Sequence, residues 1–362
     1  MRRKTLSALV VGLCGVSVLS GAMALTQQEQ LGKELFFDEN LSVRTNQSCA
    51  ACHAPNVGWT GPDTLINAHG AVYEGSIPGA FGNRKPPSAA YAGDSPVLYL
   101  HDGLWTGGMF WDGRATGWTL GDPLAEQALG PFLNPKEQAV ADVATLITKV
   151  QVSAYKELFA SECPGSDMVE LYNCIGRAIA AYERSAEVSA FTSKYDYFLK
   201  GEARLTGQEM QGLLLFRGKG QCIACHAEPL FTDFTYDNLG IPKNPENPAT
   251  MENPNWADPG LGGFLNIIGQ AEETWLAEMG KQKVPTLRNV ALKPTNKFVK
   301  AYGHNGYFKS LEGIVRFYNT RDVWPTCPGN YPEAEALKAK CWPLPEAGRA
   351  RITHAPNRIL AR

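Results

Sequence analysis

Two stretches of the chain set a pair of cysteines two residues apart, with a histidine directly after the second: Cys49-Ala50-Ala51-Cys52-His53 and Cys222-Ile223-Ala224-Cys225-His226. Two thiols at this spacing can add across the two vinyl groups of a haem. The adjoining imidazole then reaches the iron as proximal ligand, so each motif reads as a c-type haem attachment site. Structural zinc sites and thioredoxin-type dithiols also use a Cys-x-x-Cys pair, but neither requires the histidine found here both times. A haem protein that only carries electrons needs both axial positions of each iron filled; an enzyme needs one open position with acid–base groups above it. The second ligands therefore decide function. His69, His101, His304 and His354 are available, as are Met109, Met168, Met210, Met251 and Met279. For any one of these, packing in the core or at the surface is the ordinary role.

The elements that must position these motifs are mainly helical. Ala139 to Leu158 and Met168 to Leu199 carry apolar residues at helical spacing with no proline inside. Thr206 and Glu209 form a capping box for a helix running toward the second motif, and a short helical run from Leu25-Thr26 to Phe37 leads to the first. The order of helix, haem motif and long ligand-bearing loop thus occurs twice. The expected fold is mainly α, with two cytochrome c-like haem domains and long irregular loops: residues 25–195, and residues 196–362 with a tail packing back on the first domain. Pro242 to Pro259 and Pro325 to Pro345 read as long surface loops. Arg2, Arg3 and Lys4 precede an apolar run from Leu6 to Leu19 and the small-x-small site Ala22-Met23-Ala24. That is the pattern of a cleaved secretory signal over residues 1–24, which implies the periplasm. The run is short for a membrane span, and no later stretch approaches that length.

Composition agrees, with 44% hydrophobic and 19% charged residues typical of a globular chain. A formal net charge of -2 offers no whole-chain field for nucleic acid or an anionic membrane. In an oxidising compartment Cys163, Cys174, Cys327 and Cys341 are disulfide candidates. The local pairs Cys163–Cys174 and Cys327–Cys341 are the simplest of three connectivities.

Longer motifs carry a resemblance. Met109-Phe110-Trp111-Asp112-Gly113-Arg114, Glu126-Gln127-Ala128-Leu129-Gly130-Pro131 and Asn134-Pro135-Lys136-Glu137 resemble the bacterial di-haem cytochrome c peroxidase/MauG family. So do Val284-Pro285-Thr286-Leu287-Arg288-Asn289-Val290, Gly303-His304-Asn305-Gly306 and Leu311 to Tyr318. With both haem motifs, the resemblance covers nearly the whole mature chain. It implies that Trp111 lies between the two haems and couples them. It further implies that Gln127 and Glu137 line the peroxide pocket over the first haem, that Pro131 crowds that pocket and that Arg114 belongs to the haem-binding set. Glu137 is the expected acid–base group, because peroxide cleavage needs one group to take a proton from the inner oxygen and deliver it to the leaving one. Glu137 also reads as a helix-start carboxylate after Asn134-Pro135. His69, before Gly70, resembles the removable distal histidine of the family's peroxidases; by itself it reads equally as a surface-loop residue. Tyr318 falls where those peroxidases carry methionine and MauG carries tyrosine, whereas alone it would read as core. A phenolate ligand lowers the potential of iron, and a thioether favours Fe(II).

Three departures stand out. Lys85, in Arg84-Lys85-Pro86-Pro87, replaces an asparagine of the family's calcium site, and Leu292-Lys293-Pro294 with an insertion up to Tyr302 replaces a later calcium-binding segment, so calcium is in doubt. MauG's surface relay tryptophan is Gly220 here, and an insertion, Gly117 to Asp122, separates Trp111 from Gln127. The expected function is a peroxidase that reduces hydrogen peroxide at the first haem with electrons relayed through the second from a c-type cytochrome or similar carrier. The alternatives are a MauG-like oxidation of aromatic residues in a partner protein and a non-enzymatic electron-transfer cytochrome.

Overall fold

The computed structural model describes residues 24–348; the expected signal segment before them, the end of the tail and His354 lie outside the described residues. Helix α1 (Gln27–Phe37) begins with a closed capping box, in which Thr26 Oγ1 accepts from Glu29 N while Glu29 Oε2 accepts from Thr26 N. Its apolar stripe of Leu31, Leu35 and Phe36 is fully buried against Ile175, Ile179 and Tyr182 of a long helix, Met168–Arg184. At Gly32 the two helices approach so closely that a Cβ would lie 1.9 Å from Ala178 O, so only glycine fits this crossing.

After the loop that carries the first haem motif come a short helix α2 (Thr64–Ala68) and a two-stranded hairpin, β1 (Tyr99–His101) with β2 (Leu104–Thr106). Helix α3 (Pro123–Leu133) then packs on the long helix. The two helical stretches read from periodicity are each broken. The first is α4 (Val143–Gln151) and α5 (Lys156–Glu162); the second is the long helix α6 (Met168–Arg184) and α7 (Lys194–Leu199). Asp142 and Asp167 cap the starts of α4 and α6, and Ser193 restarts the chain as α7 after α6 ends at Arg184, whereas α5 follows Tyr155 without a side-chain cap. Cys163 and Cys174 form a disulfide that ties α5 to α6.

Helix α8 (Gly207–Arg217) repeats the opening of α1, with a capping box between Thr206 and Glu209, and leads into the second motif. The segment from Pro242 to Pro259, expected as a surface loop, is exposed only over residues 251–255. Asn244, Asn247 and Asp258 are buried, flanking α9 (Pro248–Glu252), because their side chains bond backbone and side chains of the first half. Helices α10 (Gly260–Ile267) and α11 (Glu272–Ala277) follow, then a short pair of β3 (Tyr236–Asp237) with β4 (Gln282–Lys283). Helix α12 (Leu311–Thr320) packs Phe317 on Phe308 and Trp342, beside the Cys327–Cys341 disulfide and α13 (Glu333–Ala339). The described part of the tail stays on this second half, with Glu346 N bonded to Ile241 O and Gly348 O to Asn238. Among the described residues no helix is long and apolar enough to cross a membrane.

Arg288 clamps the two halves. Its guanidinium makes two bonds to the buried Asp196 carboxylate and lies over the rings of Tyr91, Phe191 and Phe231. Burial alone would raise the Asp196 carboxyl, but Arg288 and Ser193 outweigh it and hold it at about 2. The stabilisation is present above the ordinary carboxylate value and is lost as pH falls toward 2. Arg288→Met should destabilise the fold by about 3–5 kcal/mol, since it strands a buried charge. A thermal midpoint equal to that of the wild type would contradict the clamp.

Candidate active site

Both haem motifs fold into the same turn. In each, a single 3₁₀ turn starts at the first cysteine, and the histidine N–H bonds back to that cysteine's carbonyl, at 3.0 Å for His53 and 2.9 Å for His226. Each imidazole Nδ1 meets backbone carbonyls: Pro87 O at 3.0 Å and Trp59 O at 3.3 Å for His53, and Phe231 O at 2.9 Å for His226. A carbonyl can only accept, so Nδ1 carries the proton and Nε2 is left with its lone pair for a metal. Burial pushes His53 down to about 4, and it lowers His226 as well, so both rings are neutral at pH 7 and free to act as ligands.

Around the second motif is a cavity of about 370 Å³, lined by Cys222, Cys225, His226, Trp111 and Tyr318. Tyr318 follows the core residue Phe317 on α12, and one residue of helical rotation turns it from that core toward the cavity. Burial, helped by the nearby thiols, raises its phenol well above the ordinary range. To bind as phenolate it therefore needs the charge of a metal beside it. Both polar atoms of the Gln282 amide and Glu346 Oε1, all on this cavity wall, have no hydrogen-bond partner within the protein. Two attachment thiols, a neutral imidazole, a phenol and unmet polar groups in one apolar space are a donor set that fits a covalently held haem.

The first motif is enclosed by α1, α6 and the segment after α3. Glu137 is not at a helix start: Asn134 ends α3, and residues 135–138 form turns before α4 begins at Val143. The tight turn, with Glu137 N bonded to Asn134 O and Gln138 N to Pro131 O, folds the carboxylate back toward α3. Its charge bears on both Cys49 and Cys52, so it faces the haem attachment site. Burial raises its carboxyl, opposed in part by Arg114 and Asn134. Gln127 and Pro131 stand four residues apart on α3, on one face of the helix. Arg114 bonds Asp112 and lies 3.7 Å over the Phe110 ring. The insertion after Gly117 is folded around Glu126, which accepts N–H bonds from Gly117, Thr119 and Leu120.

Trp111 lines the large cavity and also a smaller one with Pro87, Met109 and Phe110. Its indole N–H donates to Lys85 O at 2.9 Å, two residues before the carbonyl that holds His53. It thus stands against the wall of one site and one short strap from the ligand of the other.

His69 is not brought to the first motif. It caps the end of α2, its side chain is 66% exposed and its Nδ1 bonds Glu246 at 2.8 Å. Its own carbonyl takes bonds from Lys309 Nζ and Asn244 Nδ2, so the loop is fastened to the second half. His101 is exposed on the β1–β2 hairpin, and His304 is buried against Glu346 at 2.6 Å. Met168, Met251 and Met279 are exposed. Sequence reasoning passed over Glu183, a carboxyl on the buried face of α6 whose charge bears on Cys49 and which burial pushes up to about 8. A lone acid in an apolar stripe was its only signal.

The family model described as Di-haem cytochrome c peroxidase matches residues 26–204. Methylamine utilization protein MauG of Paracoccus denitrificans is 34% identical over 302 residues, 80% of this chain and 73% of that protein. Cytochrome c551 peroxidase of Nitrosomonas europaea is 29% identical over 331 residues, 87% of this chain and 83% of that one. The crystal structure of the diheme peroxidase BthA from Burkholderia thailandensis superposes with a TM-score of 0.74 at 32% identity, covering 91% of this chain and 80% of that one.

The cavity geometry makes one ligand testable. Tyr318→Phe should leave both haems attached and alter the visible spectrum of the second haem alone. An unaltered spectrum would remove Tyr318 from the ligand set.

Proposed function

The chain belongs to the di-haem cytochrome c peroxidase/MauG family, and from that premise we propose that it reduces hydrogen peroxide at the Cys49/Cys52 haem, using electrons relayed through the Cys222/Cys225 haem from a c-type cytochrome or similar carrier in the periplasm. Membership brings two covalently bound c-type haems and oxidoreductase activity of the cytochrome-c peroxidase type. The observation that carries the proposal is the half-buried Glu137 carboxyl, folded back to bear on the first attachment site while His69 is held elsewhere. When bound, the first haem supplies the iron at which the O–O bond is cleaved. Glu137 takes the proton from the inner oxygen and hands it to the leaving one, which departs as water; two electrons and two protons complete the conversion of peroxide to two waters. Gln127 adds a neutral amide without a second fixed charge, and Pro131 presents apolar surface that limits access. Trp111, between the sites, supports passage of electrons toward the first haem.

A second reading, MauG-like oxidation of aromatic residues in a partner protein, is favoured by the tyrosine at the second cavity, while Gly220 in place of a surface tryptophan weighs against it. Adding peroxide to the oxidised protein with and without reduced cytochrome c separates them. Multiple turnovers only with the cytochrome support the peroxidase; a lasting oxidised state that the cytochrome does not discharge supports the other reading.

Because His69 is bonded to Glu246, the oxidised protein should react with peroxide without prior reduction. A requirement for one-electron reduction would contradict this. Glu137→Gln should slow peroxide cleavage by about 10²–10⁴-fold with both haems retained. Wild-type turnover should fall as pH drops through the raised Glu137 value, because the protonated acid cannot accept a proton. That acid limb should vanish in the variant; its persistence would assign it to another group.

A further inference from the structure

The family resemblance raises a calcium ion between the domains, and the residues here do not fit one. Lys300 Nζ is buried and donates to three backbone carbonyls, Val57 O at 2.7 Å, Asn289 O at 2.8 Å and Leu292 O at 3.1 Å. An ammonium has three N–H bonds to give, so this cage of hard oxygens is filled. Val57 closes the turn just after the first haem motif, whereas Asn289 and Leu292 belong to the second half. The two loops touch at this point. Gly58 has φ +76°, and a Cβ there would lie 2.9 Å from both Asn289 Cβ and Asn289 O and 3.2 Å from Lys300 Nζ. Asn289 itself sits in the left-handed region at φ 57°, the conformation of its loop at the cage.

A second buried ammonium lies close by. Lys85 Nζ donates to Thr60 Oγ1 and Pro86 O, and the charge of Lys300 is felt at Lys85. Burial and the charge of Lys300 push the Lys85 amine down to about 7, and a divalent cation would meet two basic nitrogens that already occupy the oxygens of this low-dielectric region. Among the described residues, no group of three or more His, Cys, Asp or Glu side chains could hold a metal ion. Lys85 is also the residue whose carbonyl receives the Trp111 indole and whose N–H bonds His304 O.

We propose that Lys300 is a tethered cation that takes the place of an inter-domain metal: its ammonium fastens the loop of the first haem motif to the second half and so positions the Lys85–Trp111 contact between the sites. Lys300 is a positioning residue: it lines the wall of the second cavity, but its ammonium bonds only backbone carbonyls and none of the cysteines, His226 or Tyr318. The effect on electron transfer rests on the reading that the two haems exchange electrons, whereas metal independence does not.

The test uses the purified holoprotein. Wild type treated with EGTA and desalted should contain no stoichiometric calcium and keep its thermal midpoint and its peroxide response. Bound calcium, or a loss restored by adding calcium, would overturn the proposal. In Lys300→Ala the thermal midpoint should fall, and oxidation of the second haem after peroxide mixing should slow about 10- to 100-fold, as expected for displaced redox partners. Propylammonium should restore both, and tetramethylammonium, which has no N–H to donate, should restore neither. Equal rescue by the two cations, or a wild-type response in Lys300→Met, would refute the role. Should peroxide turnover itself be absent, calcium content and the amine-dependent midpoint still decide the metal question.

Discussion

Four consecutive residues, Arg84 to Pro87, hold the two haem sites at a fixed separation. Arg84 makes paired bonds to Asp258 of the second half and a third to Asp112 beside Trp111. Lys85 bonds His304 O through its N–H and receives Trp111 at its carbonyl. Pro86 O accepts from Thr60, and Pro87 O accepts from His53. Every one of these partners is buried or nearly so, so water cannot replace a lost bond and each carries a desolvation penalty if broken. The strap therefore links His53, Trp111 and the second half of the chain in one run of backbone.

Much of this was legible in the sequence because it is local. A CxxCH motif closes within one turn, a capping box spans three residues, and Cys163–Cys174 and Cys327–Cys341 close short loops. Tyr318 was legible through its position in a motif, while its helical neighbour Phe317 took the core position that spacing alone would have given to either. Long-range partners decided what was missed. His69 read equally as a distal histidine or as a surface-loop residue, because nothing nearby reveals Glu246, Lys309 and Asn244, all more than 170 residues away. Glu137 looked like a helix start because Asn134-Pro135 is a good one; the turn back to Pro131 displaced that helix to Val143. The Pro242–Pro259 stretch is rich in loop formers, yet Asn244, Asn247 and Asp258 bond the first half and so become buried.

The departures from the family pattern become coherent in the folded chain. Lys85 and the segment up to Tyr302 read as losses of a calcium site, and in space they meet as two buried ammonium groups on backbone carbonyls. A metal can leave and a lysine cannot, and on the proposed role of Lys300 the spacing between the sites is independent of ion supply. The loop after the first haem motif, the distal loop bearing His69 and the strap are then all fastened to the second half, by Lys300, Lys309 and Arg84 respectively. That arrangement holds the exposed His69 side chain against Glu246.

The central claim is that the two sites act as one unit through Trp111. Rapid mixing of peroxide with oxidised wild type and with Trp111→Phe, followed at wavelengths that separate the two haems, tests it most directly. The account predicts that the first haem reacts at the same rate in both proteins, while the response of the second lags in the variant. A second haem that responds as fast without the indole would contradict it.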